Sequence, residues 1–119
     1  GIDKADSEGR KAQWAANYRA FDAPVVLLFF IDKIMEAGSF LDYGMFLQSL
    51  MLVAQEQGLA TCPQAAFADY PEQVKTLLAY GDDVTLLGGM ALGYEDKDAA
   101  VNSYRTAREA ASVFSRFFN

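Results

Sequence analysis

The sequence predicts an α+β domain with helices packed on a small sheet. Two apolar runs, residues 25–31 and 84–92, lack polar alternation and are bounded by turn residues, as strands covered on both faces are. The segments around them carry apolar residues at helical spacing, with their own start and stop signals. Composition agrees, with 52% hydrophobic and 22% charged residues, a globular balance. At 119 residues the chain is one domain by length, residues 1–119. Nine Phe, six Tyr and one Trp are many for this length and predict a large core, a flat-ring site or a buried subunit interface.

The first helix is expected from Ser7 to about Ala20. Trp14, Tyr18 and Phe21 recur at three- and four-residue steps and form one apolar stripe, with Ser7 as the N-cap and Trp14 as a packing anchor. Asp22-Ala23-Pro24 breaks it, and residues 25–31 follow as a central strand. Ser39-Phe40-Leu41-Asp42 has the form of a capping box, opening a helix that runs to about Gln57 and stops at Gly58. Met45, Phe46, Leu47, Leu50, Met51, Leu52 and Val53 cover most of that helix, which must therefore be buried on several sides. One domain of this size has trouble enclosing it, so a partner subunit is expected.

Residues 61–68 read as a loop containing Cys62, a small buried residue. Pro71 sits in the first turn of the next helix, where its missing N–H costs little, and that helix ends near Gly81. Residues 84–92 form the second strand, with Gly88 and Gly89 marking a bulge or a close backbone approach. A last helix is expected over residues 106–117, its exposed aromatics docking on a neighbouring subunit.

Several function classes fall away. There is no histidine, which removes His-based triads and imidazole acid–base catalysis. No phosphate loop of the Gly-x-x-x-x-Gly-Lys form is present, and no metal site is expected. A net charge of −6 argues against nucleic acid, whose affinity rests on phosphate neutralisation. The longest uninterrupted apolar runs are far short of a membrane span, so no membrane partner is expected. The single cysteine fits a reducing, cytoplasmic compartment. If the chain is an enzyme, a bound cofactor does the chemistry.

Two places can hold such a group. Pro63, Gln64, Ala65 and Ala66 offer small side chains, so that backbone N–H and C=O groups can meet a flat ligand; the alternative is a plain connection. Arg105 and Arg108 follow a polar turn and open the expected last helix, where guanidinium and N–H groups can converge on a phosphate; the alternative is a pair of solvated arginines.

Four stretches, in order, resemble the nitroreductase family. They are Ala23-Pro24 leading into residues 25–31, then Leu41-Asp42-Tyr43-Gly44-Met45-Phe46-Leu47-Gln48, then Gly58-Leu59-Ala60-Thr61-Cys62-Pro63-Gln64, and finally Ala91-Leu92-Gly93-Tyr94 through Asn102-Ser103-Tyr104-Arg105-Thr106-Ala107-Arg108. The resemblance implies a homodimer that binds FMN at its interface and moves electrons from NAD(P)H to a nitroaromatic or quinone-type acceptor. It implies that Pro63, Gln64, Ala65 and Ala66 line the flavin ring through backbone atoms, and that Arg105 and Arg108 reach the phosphate. The helix from Leu41 would lie in the dimer core.

The chain also departs from the family. The family's opening helix carries an Arg-x-Ser-x-Arg-like element that holds the FMN phosphate and ribityl chain, and Ser7-Glu8-Gly9-Arg10 is not that element. The expectation is a partial nitroreductase-like fold whose N-terminal part is absent, with weak or no FMN binding by this chain alone. An incomplete FMN-dependent oxidoreductase, a non-catalytic dimeric module that has lost the flavin, and one piece of an enzyme paired with an N-terminal fragment are the three functions that follow.

Overall fold

A three-stranded antiparallel sheet in the order β1-β3-β2 organises the chain. The computed structural model describes residues 2–118. In chain order the elements are α1 (Ser7–Ala15), a 3₁₀ segment (Ala16–Asp22), β1 (Val25–Asp32), α2 (Ala37–Glu56), β2 (Ala60–Gln64), a 3₁₀ segment (Ala65–Asp69), α3 (Pro71–Leu78), β3 (Val84–Gly93), a 3₁₀ turn (Ala100–Asn102) and α4 (Ala111–Phe114). Helices on a small sheet are what the sequence predicts.

The order of the strands corrects one expectation. The run at residues 25–31 is an edge strand, and β3 takes the centre. An unbroken apolar run reports that both faces seek cover, which says nothing about position within the sheet. Val25 and Val26 remain exposed in this chain. β3 holds the core instead: Leu86, Gly88, Gly89, Met90 and Ala91 are buried, and Met90 is completely enclosed.

A second correction concerns residues 61–68, which are not a loop. Ala60–Gln64 pairs with β3 from Ala60 opposite Gly93 to Gln64 opposite Gly89. The strand is five residues long and contains Pro63, so its propensity signal is weak. Proline is tolerated because β2 is an edge strand and needs no second ladder. Cys62, expected to be buried, is exposed on this edge.

The expected bulge is present. Phe29 pairs with Gly88 and Phe30 with Leu86, so Leu87 is the extra residue. Gly88 has φ of +149°, and a Cβ there would lie 2.9 Å from the Gln64 carbonyl oxygen. At Gly89 a Cβ would lie 2.5 Å from the Phe67 ring. The glycine pair thus lets the end of β2 and the following 3₁₀ segment lie directly on β3.

The helices differ in detail from the sequence reading. In α1 the cap is Asp6, whose carboxylate accepts the Gly9 N–H at 2.8 Å, rather than Ser7. The chain then tightens into 3₁₀ geometry and turns left-handed at Ala20, Phe21 and Asp22, with φ of 50°, 52° and 61°. Ala20 is fully buried at this turn, and Arg19 Nε pairs with the Asp22 carboxylate at 3.1 Å across it. The α2 N-cap is Glu36 without a side-chain hydrogen bond, so the capping box at Ser39 does not form; Gly58 follows the helix with φ of +73°, as a stop residue should. In α3, Pro71 takes the first turn as expected, but the helix stops at Leu78 on a left-handed Ala79 rather than near Gly81.

The last expected helix is mostly missing. Only Ala111–Phe114 is helical, and residues 104–110 have no regular structure. Alanine, arginine and glutamate there favour a helix, but nucleation is costly without packing, and none of residues 103–114 is even half-buried.

Much apolar surface stays uncovered. The exposed area is 9400 Å², against about 6,400 Å² expected for a compact monomer of this mass. The radius of gyration is 17.4 Å, against about 13.5 Å for a compact chain of this length. Only Ala54 of α2 is buried; Leu41 and Leu52 are 71% and 61% exposed. With 20 residues and a mean hydropathy of 1.2, α2 is also long and apolar enough to cross a membrane, which counting uninterrupted apolar runs did not reveal. Asp42, Gln48 and Gln55 interrupt those runs without removing the average apolarity.

Two stability predictions follow from this geometry. Gly88→Ala forces a Cβ against a backbone carbonyl at a left-handed position and should cost about 2 kcal/mol or more in denaturant unfolding. Lys75, 7% exposed, joins α3 to the turn before β3 through Glu72 at 2.9 Å and Asp82 at 3.2 Å. The hydrogen bonds to Glu72 and then Asp82 hold its ammonium above the ordinary value of 10.5. A raised pKa gives stability that is complete below pH 10.5 and is lost as pH rises through the folded value. The melting-temperature gap between the wild type and Lys75→Met should therefore be constant from pH 7 to 9 and narrow above pH 10.5, as followed by circular dichroism.

Candidate functional site

Pro63, Gln64, Ala65 and Ala66 span the end of β2 and the start of the 3₁₀ segment behind it. Pro63 and Ala65 are exposed, Ala66 is half-buried and Gln64 is buried. The backbone turns sharply here because it leaves the sheet opposite Gly89 and rises over the two glycines. A flat ligand laid against Pro63, Ala65 and Ala66 would meet main-chain atoms and methyl groups with no bulky side chain in the way. Such small residues suit a planar ring, so the ring side of a flavin fits these residues.

The Gln64 side chain points the other way. Its Nε2 donates to the main-chain carbonyl of Asn17 at 2.7 Å and lies 3.5 Å from Asn17 Oδ1. Its Oε1 is buried without a hydrogen-bond partner, as is the hydroxyl of Tyr18. Tyr18 packs edge-on against Trp14 (5.1 Å), Tyr70 (5.4 Å) and Phe67 (6.0 Å), measured between ring centroids. Burial, followed by the neighbouring Tyr70 and Asp69, pushes the Tyr18 phenol above its ordinary range. The sequence reading put Trp14, Tyr18 and Phe21 on one stripe with Trp14 as the anchor; Trp14 and Tyr18 do meet, but Trp14 is 50% exposed and Phe21 leaves the stripe at the left-handed turn. That reading missed Asn17, because no local pattern links that residue to a glutamine 47 positions away.

The two arginines do not form a phosphate cradle here. Arg105 Nη2 lies 3.5 Å from the Glu95 carboxylate. Arg108 Nη1 donates to the Thr106 carbonyl at 3.1 Å and to its hydroxyl at 2.5 Å. Both side chains are exposed, no helix starts beside them, and neither is bonded to residues 63–66 among the described residues. Two open grooves also lie elsewhere, on α2 at Leu41 and Met45 and on α3 at Glu72 and Leu77. Neither groove is lined by residues 63–66, and both are stretches of uncovered helix face.

The nitroreductase family model matches residues 2–94, which includes every strand and the three main helices. The chain belongs to the nitroreductase family. It is 47% identical to a 4-nitrobenzoate reductase of Pseudomonas putida over 116 residues, which is 98% of this chain and 51% of that protein. It is 38% identical to a chloronitrobenzene nitroreductase of Comamonas testosteroni, covering 98% of this chain and 52% of the relative. Among solved structures, the FMN and NADPH-dependent nitroreductase NfnB from Sphigopyxis sp. strain HMH superposes with a TM-score of 0.95 at 40% identity, over 100% of this chain and 53% of that one. NfnB from Mycobacterium smegmatis, solved with NADPH, gives 0.93 at 33% identity, again over 100% of this chain and 53% of that one. This nitroreductase chain therefore spans about half the length of the relatives it matches.

The match places the sheet, α2 and residues 63–66 within the family fold, and it ends at Tyr94, before both arginines. With both guanidinium groups in solvent and bound only to local partners, Arg105→Ala and Arg108→Ala should each change unfolding free energy by less than about 0.5 kcal/mol in urea titrations.

Proposed function

We propose that this chain supplies the ring-facing and subunit-core half of an FMN-dependent nitroreductase that reduces nitroaromatic compounds with electrons from NAD(P)H. The observation that carries the reading is the 63–66 turn, where a strand end, two small residues and a glycine-backed approach present main-chain atoms to a flat ring. Relatives described as nitrobenzoate and nitrobenzene reductases support the acceptor class, and FMN and NADPH-dependent neighbours support the cofactor. FMN, when bound, supplies the redox chemistry. The chain's part is to position the ring edge at Pro63, Gln64, Ala65 and Ala66, whose turn is held from behind by the packing of Phe67 and Tyr70 against Tyr18. A cytoplasmic setting accords with a lone, unpaired cysteine.

The phosphate side is weak. Arg108 is held by Thr106 and Ala107 of its own irregular segment, whereas Arg105 must first release Glu95. Phosphate affinity comes from convergent charge-assisted hydrogen bonds, and these two residues do not converge. The chain alone should therefore bind FMN weakly, with a dissociation constant above about 10 μM, read by quenching of flavin fluorescence. Arg108→Ala should weaken that binding severalfold, and an unchanged affinity would take the residue out of the site. Stoichiometric FMN on the purified chain would overturn the weak-binding reading and imply a complete site.

A second copy of the chain is the proposed cover for α2. About 3,000 Å² of excess exposed surface on one chain is well above the roughly 800 Å² per partner of a standard interface, as obligate interfaces are. Phe40, Leu41, Met45, Phe46, Leu52 and Val53 supply the apolar character such interfaces have. Sedimentation of the detergent-free protein should show a dimer, and Leu52→Glu should shift it to monomer. A wild type that needs detergent to remain in solution would instead favour lipid as the cover for α2.

A further inference from the structure

We infer that Gln64 is a positioning residue, a side-chain latch to the Asn17 carbonyl that fixes the height of the 63–66 backbone over β3. The inference rests on the flavin reading for its purpose, and on hydrogen bonds and packing for its existence.

Gln64 is 4% exposed, and its amide reaches across 47 residues to a main-chain acceptor at 2.7 Å. The orientation of that amide is chemically fixed. Asn17 Nδ2 already donates to the Trp14 carbonyl at 3.0 Å, so Asn17 turns its Oδ1 toward Gln64. Both atoms facing Gln64 are then acceptors, and only the Nε2 end can meet them. A flipped amide would set oxygen against oxygen.

The latch is one of two grips on the same strip of chain. Tyr18, the next residue, packs edge-on against Phe67 and Tyr70, three and six residues beyond Gln64. From below, Gly88 and Gly89 admit the Gln64 carbonyl and the Phe67 ring. The turn at residues 64–67 is therefore clamped between the Asn17-Tyr18 segment and β3. Its outward face, Pro63 and Ala65, is left exposed.

The left-handed turn at Ala20, Phe21 and Asp22 makes this possible, since it redirects the chain from the clamp into β1. Three such residues in succession are disfavoured for L-amino acids, which fits a turn that the surrounding contacts over-determine. The unpartnered Oε1 of Gln64 points the same way. A buried orphan acceptor is a cost that an apolar side chain would avoid. Its retention fits a role for the Nε2 donor beyond filling space.

Three variants and two readouts test the latch in the 119-residue chain. Gln64→Met keeps the volume and removes the donor, whereas Asn17→Ala keeps the main-chain acceptor. In amide hydrogen exchange followed by NMR, Gln64→Met should quicken exchange of the 65–69 amides about tenfold, and Asn17→Ala less than threefold. In FMN titration, Gln64→Met should raise the dissociation constant severalfold and Asn17→Ala less than twofold. Gln64→Glu, which keeps the shape but loses the N–H at neutral pH, should resemble Gln64→Met in both.

The wild type gives a measure independent of any variant: the Gln64 side-chain amide protons should be protected from exchange. Unprotected protons, or unchanged 65–69 exchange in a folded Gln64→Met, would overturn the latch. Quickened exchange in Gln64→Met, with no FMN bound even by the wild type, would uphold the latch and overturn the flavin reading. FMN affinity equal in the wild type and Gln64→Met, with exchange also equal, would uphold the flavin reading and overturn the latch.

Discussion

The close approach of two backbones at Gly88 and Gly89 is the constraint on which the rest of this structure depends. A side chain at either position would collide with the Gln64 carbonyl or the Phe67 ring. Because neither has one, the end of β2 and the segment after it lie on the central strand. That contact sets where residues 63–66 turn outward, and it brings Phe67 and Tyr70 within reach of Tyr18. The bulge at Leu87 belongs to the same solution, because the strand must bend to keep pairing with β1 on its other side. Sheet order, aromatic cluster and candidate ring site thus share one cause, the absence of two Cβ atoms.

Burial is unevenly distributed around that centre. The interior is confined largely to β3, Phe29, Ala20 and Gln64, while most of α2, α4 and the tail beyond Tyr94 are uncovered. Stability in such a molecule is not uniform: segments with few buried contacts open at low cost, and a packed strand opens only with the whole. The apolar faces of α2 and the phenylalanines at positions 114, 117 and 118 are therefore surfaces whose stable arrangement depends on something else covering them. The length relationship to the matched nitroreductases, about one half, is the second sign that this chain does not carry all of its surroundings.

How much of this was legible in the sequence depended on whether a feature left a local trace. Residues 25–31 and 84–92 announced strands because they run apolar almost without a break, Thr85 being the one polar residue, and the glycines inside the second announced a bulge or a close approach. Strand order left no trace, since apolarity reports covered faces and not neighbours. β2 was hidden by Pro63, a residue that argues against a strand unless the strand is known to lie at an edge. The expected last helix failed for the opposite reason. Its residues favour a helix, but nothing packs against them, and propensity alone does not offset nucleation. The stretch 63–66 drew notice by its small residues and was singled out by its resemblance to a family motif, and the structure added which of its four side chains faces inward. The Asn17–Gln64 bond joins two polar residues that look ordinary in their own neighbourhoods, so only the tertiary structure could pair them.

The contrast between the two halves of the candidate site then acquires a physical meaning. The ring-side residues sit at the end of a paired strand, backed by glycines and clamped from above, so their geometry is fixed before any ligand arrives. The arginines sit on a segment with no helix, no buried neighbour and only local hydrogen bonds, so their geometry has to be made when a phosphate arrives. Ordering such a segment costs roughly 1–2 kcal/mol of backbone entropy per residue, and this offsets much of what a charge-assisted contact returns. On the proposed reading a flat ring would meet a surface that already exists, whereas an anion would meet only one that something else must first hold in place. On that reading this difference, rather than the mere presence of two arginines, would govern how much of a flavin this chain holds unaided.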